Sequence, residues 1–183
     1  NVIFFSDGSL YHQPTVYRLF MDHRRLLETM CEKTNPERDP DSRLAPRDRS
    51  VLLIVSAISS MDYPAGNRAS LKRLDTGNPG GHAFWDLLLR HVPEDCRRSP
   101  TEESSWALLM KGAALMAPSA HQQGARLGRV LADVEYKEAR LTRLLIRDNE
   151  RFPNDFVRLC RTLAQKGASV DWVRDMGPLV LGN

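Results

Sequence analysis

Residues 124–151 read GARLGRVLADVEYKEARLTRLLIRDNER, a stretch in which a basic residue recurs every three or four positions beside a separate apolar series. At about 100° of rotation per residue in a helix, Lys137, Arg140, Arg143 and Arg147 fall within one arc. Val134, Leu141, Leu144 and Leu145 occupy the adjacent arc. One side packs and the other presents cations, which is the pattern of helices rather than strands. The spacing predicts helices over 124–132 and 135–147.

The flanks extend the same reading. Residues 153–166 carry Phe156, Leu159, Cys160 and Leu163 at i, i+3, i+4 and i+7, with Gly167 as the stop. The apolar run over 48–61 suits either a buried strand or a helix by composition; its length of about 14 residues favours the helix. A turn at 63–66 leads into NRASLKRL, TGNPGG forms a loop, and Phe84 to Leu89 start another helix. SPTEE, at 99–103, places Pro100 and two acids where a helix begins, and Pro118 ends that helix. VDWVRDMGPLV closes the chain with a short helix expected to stop near Gly177 and Pro178.

Upstream, residues 15–33 have helical periodicity, and TNPERDPDSRLAPRD, with three prolines, reads as a linker. The expected architecture is all-α, a helical bundle of two small packed lobes: 47–117 as an N-terminal lobe and 118–183 as a basic C-terminal lobe. Residues 1–46 form an extension and linker of open role.

The 183 residues, with 42% hydrophobic and 27% charged, fit a globular chain with a real core. The net charge of +3 is small, so its distribution decides more than its size. Residues 124–167 hold ten Lys and Arg against six Asp and Glu, a local electropositive surface. Cys31, Cys96 and Cys160 have neither CxxC nor Cys/His ligand spacing, so a reduced, cytoplasmic protein is expected. The apolar start, Val2 to Phe5, is too short for a signal core or a membrane span.

Catalytic chemistry finds little support. TGNPGGH lacks the Lys-Ser or Lys-Thr ending of a phosphate-cradling loop. His82 and Asp86 stand at i and i+4, but two ligands make a poor metal site and a surface pair fits them better. His121, beside two glutamines, reads as loop polarity. No Ser/His/Asp or Cys/His pattern is recognisable, and Glu94–Asp95 and Glu102–Glu103 are adjacent pairs of solvated charge. Trp85, Trp106 and Trp172 sit in apolar helical patterns, which favours core packing over base stacking. No cofactor and no metal are implied.

The basic strip has two readings. Arg and Lys cover apolar helices with their stems and pair with acids one turn away, as Glu135, Glu138 and Asp148 permit. Alternatively the strip binds nucleic-acid phosphates, joined by Arg126, by Arg68, Lys72 and Arg73, and by Arg158 and Arg161 if folding gathers them.

The order GNRASLKRL, AFWDLL, SSWALL, RLGRVLA, EARLTRLLIRD, FVRLCRTLAQKG and VDWVRDM, over residues 48–177, resembles the CasB family. That family is the small helical subunit of Cascade, the type I-E CRISPR surveillance complex. The resemblance implies two small bundles without nuclease activity, a second copy in the complex, and contacts with the backbone and large subunits. It also implies basic faces on the target and displaced DNA strands of the R-loop, with the guide RNA met only indirectly and no membrane. Lys72 and Arg73 match the basic pair after the GxRAxL element, Arg129 the LGRxLA element, and Arg140, Arg143 and Arg147 the next helix. Arg158 and Arg161 fall on the helix after that. Residues 1–46 have no counterpart, and MGPLV stands where the family usually carries a tryptophan. The rival reading is an independent all-α transcriptional regulator, which needs a base-reading recognition helix. These helices are rich in Arg and Lys and poor in exposed Asn and Gln. An α-helical enzyme with a dispersed site is a third reading.

Overall fold

The computed structural model describes residues 44–182 other than Arg147 and Asn149. The helix expected at 15–33, most of the proline-rich linker, Cys31 and Arg147 therefore lie outside the described residues. In chain order the described elements are α1 (Pro46–Ser59), α2 (Ala65–Lys72), α3 (His82–His91), α4 (Pro100–Met116), α5 (Leu127–Asp133), α6 (Glu138–Ile146), α7 (Phe152–Gln165) and α8 (Gly177–Leu181). A 3-10 turn lies at Glu94–Cys96 and a π turn at Trp172–Met176. The fold is all-α: the described residues contain no strand, only an isolated bridge between His121 and Val170.

The helix at the centre is the one whose sequence is apolar all round. In α4, WALLMKGAALM is apolar but for Lys111, whose ammonium donates to the Leu74 carbonyl at 2.7 Å, and Trp106 to Met110, Gly112 to Ala114 and Met116 are buried. Its start follows from SPTEE. The Ser99 side chain accepts from the Glu102 N–H at 3.2 Å and the Glu102 carboxylate accepts from the Ser99 N–H at 3.0 Å, a capping box with Pro100 in the first turn. Helices α1, α2, α7 and α8 pack around it. The apolar run at 48–61 is a helix, α1, burying Val51, Ile54, Val55 and Ile58.

Two tryptophans complete the core. Trp106 and Trp172 are buried, and their indole N–H groups donate to the carbonyls of Cys96 at 2.8 Å and Ala120 at 2.9 Å. Trp85 is half-buried against the core. Cys96 and Cys160 are free thiols. Among the described residues no helix is long and apolar enough to cross a membrane.

Several boundaries differ from expectation, each for a local reason. The segment expected at 124–132 starts at Leu127, because Gly124 takes a positive φ of 78° and Asp175 accepts the Leu127 N–H at 2.6 Å. The next helix starts at Glu138 rather than 135, because Glu135 adopts φ 54° and turns the chain. The π turn at Trp172–Met176 ends at Gly177, as expected, but the chain stays helical beyond it: Pro178 sits in the first turn of α8, where its missing N–H has no helical partner to lose. A Cβ on Gly177 would lie 3.0 Å from the Trp172 carbonyl and 3.2 Å from Val51, so glycine lets this turn approach α1.

His121 is more than loop polarity. Its Nδ1 accepts the Trp172 N–H at 3.1 Å, beside Asp171, which is 2% exposed. Asp171 accepts from the N–H of Gly124 at 2.8 Å and of Arg174 at 3.1 Å, tying the 120s loop to the π turn. Burial alone pushes the Asp171 carboxyl up, but these two N–H groups, with the field of the neighbouring His121 and the charge of Arg174, hold it below its ordinary value. The folded state thus binds the carboxylate in preference to the acid. The resulting stability is complete above the unfolded-chain pKa of about 4 and is lost as pH falls through the lower folded value. Asp171→Ala is expected to lower the unfolding free energy at neutral pH by about 1–3 kcal/mol. It should also flatten the decline in acid, as read by denaturant titration at neutral and acidic pH.

Candidate nucleic-acid interface

Helices α6 and α7 are joined by a short turn, so they pack as antiparallel neighbours. Asp148 shapes the turn: its side chain accepts the Glu150 N–H at 3.1 Å and its carbonyl the Phe152 N–H at 2.7 Å. Leu144 is fully buried, and α7 sends Phe156, Leu159, Cys160 and Leu163 toward the core. Burial pushes the Cys160 thiol up, so it behaves as a small apolar group there. The polar stripe of α7 then faces α6 across a groove of about 340 Å³.

Arg140 and Arg143 of α6 and Arg158 and Arg161 of α7 line this groove, with Tyr136, Asp155, Thr162 and Gln165. All four arginines are exposed. Asp155 is recessed, its side chain 16% exposed, 3.6 Å from an Arg158 nitrogen. Burial pushes the Tyr136 phenol up and Asp155 adds to this, while Arg140 and Arg143 pull against it; the phenol keeps its proton at neutral pH. The arrangement can neutralise phosphates with planar, forked cations that keep their charge at any physiological pH.

The other expected cations stand elsewhere. Arg68 is folded into its own turn, donating to the carbonyls of Ile58 at 3.1 Å and Ser60 at 2.7 Å and lying over the Tyr63 ring. Arg126 is held by Asp175, 3.2 Å away. Lys72 and Arg73 are exposed at the end of α2, Arg129 on α5, and Lys137 just ahead of α6, where its carbonyl accepts the Arg140 N–H at 2.9 Å. None of these lines the groove.

The expected packing arc needs one correction. Leu144 is buried and Leu141 half-buried, but Leu145 is 64% exposed, and Ile146 beside it 71%. Among the described elements helix α6 packs mainly on α7, and Leu145 lies a further ~100° around from Leu144, beyond that contact. Asp86 pairs with Arg90 at 2.7 Å instead of His82. Among the described residues no group of three or more His, Cys, Asp or Glu could hold a metal ion.

Tyr136, Asp155, Thr162 and Gln165 were not singled out from sequence. For α7 the signal existed: positions 155, 158, 161, 162 and 165 share one face at helical spacing. Tyr136 gave no periodic signal, since it lies in the turn before α6.

An all-α fold with an arginine-lined groove presents a cationic surface suited to an anionic ligand. The family model of CRISPR-associated protein Cse2 matches residues 67–174, more than half of the chain, and the chain belongs to that family. It is the family of the small, non-catalytic subunit of type I-E Cascade in CRISPR defence. No curated protein and no solved structure matches the chain.

Proposed function

We propose that this chain stabilises the R-loop of a type I-E Cascade complex by holding DNA phosphates in the α6–α7 groove. The observation that carries the reading is the convergence of Arg140, Arg143, Arg158 and Arg161, from two helices, on one groove in a chain of this family. An R-loop is a near-balanced exchange of one duplex for another, so sequence-neutral contacts with backbone phosphates can tip it. Counterion release from those phosphates supplies affinity that falls with salt. Lys72, Arg73, Arg129 and Lys137 belong to the same proposal as outlying phosphate contacts. So do the division into lobes at 47–117 and 118–183, the contacts with backbone and large subunits, the second copy, and a cytoplasmic location.

The test is to co-purify the tagged chain with the subunits encoded beside it and a guide RNA. Target-duplex retention is then measured with and without the chain at several salt concentrations. Stable incorporation, with a loss of retention on omission that is largest at low salt and shrinks as salt rises, is the expected result. Failure to associate, together with tight sequence-selective binding by the isolated chain, would shift the reading to a regulator.

A further inference from the structure

A groove built only to hold phosphates has no use for a carboxylate, yet Asp155 lies within it, recessed beneath four exposed arginines. Its separation of 3.6 Å from Arg158 allows attraction between the charges but no short hydrogen bond. The Asp155 oxygens therefore keep acceptor capacity that faces the groove. Beside them, the Thr162 hydroxyl donates to the Arg158 carbonyl at 2.9 Å, leaving its oxygen as an acceptor, and Gln165 adds an amide. Tyr136 supplies a half-buried aromatic wall.

Accepting the proposed phosphate binding, on which this step rests, we infer that Asp155 makes the groove selective for the base of an unpaired nucleotide, favouring guanine and disfavouring thymine. The phosphate sits on the exposed arginines, where attraction is strongest and repulsion from Asp155 weakest. The base then points inward, against the Tyr136 ring, where stacking is tolerant of sequence. At the floor its edge meets an acceptor-only carboxylate. The Watson–Crick edge of unpaired guanine offers two adjacent donors, N1–H and the N2 amino group, which a carboxylate can accept together. Thymine offers a single N3–H between two carbonyl oxygens, which the carboxylate repels. A duplex hides these edges in base pairs, so its phosphates reach the arginines while its bases do not reach Asp155. The groove volume of about 340 Å³ lies at the lower end of small-ligand pockets, room for one nucleotide rather than a helix.

The full chain is titrated by fluorescence anisotropy, at fixed low salt, with oligothymidylate and with the same strand carrying dG at every third position. The parent protein should bind the dG strand about fivefold more tightly, the low end of discrimination by a two-hydrogen-bond base contact. Asp155→Asn should bring the two strands within about twofold of each other, because an amide presents only one acceptor atom. It should also tighten binding of oligothymidylate, since a negative charge leaves the groove. A loss of helix stability alone would not alter a ratio between strands. Equal, salt-sensitive binding of both strands by the parent overturns the base selection and leaves the phosphate reading standing. Retention of the preference in Asp155→Asn overturns the assignment to Asp155. Absence of binding to either strand overturns both.

Discussion

Gly112→Ala should destabilise the protein although alanine is the better helix former. In an exposed helix interior the exchange gains about 1 kcal/mol. Gly112, however, faces the tightest part of the core: an added Cβ would lie 2.7 Å from Phe156 Cε1 and 3.0 Å from both Cys160 Sγ and Trp172 Cη2. These side chains are fully buried, and the Phe156 and Trp172 rings meet edge to face at 6.4 Å, so none can swing into open space. Overpacking of a dense interior costs about 1–3 kcal/mol for small insertions, which outweighs the propensity gain. The expected net loss for Gly112→Ala is about 1–2 kcal/mol in a urea titration, and Gly112→Leu should lose more than ~3 kcal/mol. An alanine variant as stable as the parent would mean that α4 and α7 are not in such close contact. The site bears functionally as well, because α7 carries Arg158 and Arg161 on the side opposite Phe156 and Cys160. Displacing its buried side displaces half of the groove.

How much of this was legible beforehand depended on how local each determinant is. The start of α4 at SPTEE and the buried stripe of α7 follow from residues close together in sequence, and both are where the sequence places them. The late starts of α5 and α6 were not legible, because they depend on backbone turns at Gly124 and Glu135 and on a carboxylate, Asp175, nearly fifty residues away. His121 escaped for the same reason, since its partner is the Trp172 N–H. In the groove, the basic arc of α6 was readable from sequence, whereas its meeting with α7 was not. Eleven cations were candidates, the strip from Lys137 to Arg147 first and others only if folding gathers them; tertiary packing is what distinguishes Arg140, Arg143, Arg158 and Arg161 from Arg68 and Arg126, whose guanidinium groups are engaged by neighbouring groups of the fold.

That sorting sets the scale of the second large effect. Reversing Arg140, Arg143 and Arg161 to Glu should lower DNA affinity at low salt by at least about 100-fold. It should also reduce the slope of log K against log salt by about two, three phosphate contacts at roughly 0.7 each for a single strand. The three side chains are exposed, so helicity and the unfolding free energy should change little, within about 0.5 kcal/mol per site. Arg158 is left in place because its partner Asp155 would face a like charge there, mixing a stability effect into the binding result. Lys72→Glu with Arg73→Glu, at the end of α2 and outside the groove, serves as the comparison. If affinity depended on net charge alone, each reversal would cost the same wherever it lay, and the double variant would lose about two thirds as much in log K as the triple. If the groove carries most of the contact and Lys72 and Arg73 are weaker outlying contacts, the double variant should lose less than about tenfold, and its salt slope should fall by less than half as much as that of the triple. Equal loss per reversed charge would return the basic surface to a diffuse field, and no loss in the triple variant would remove DNA from this face of the protein.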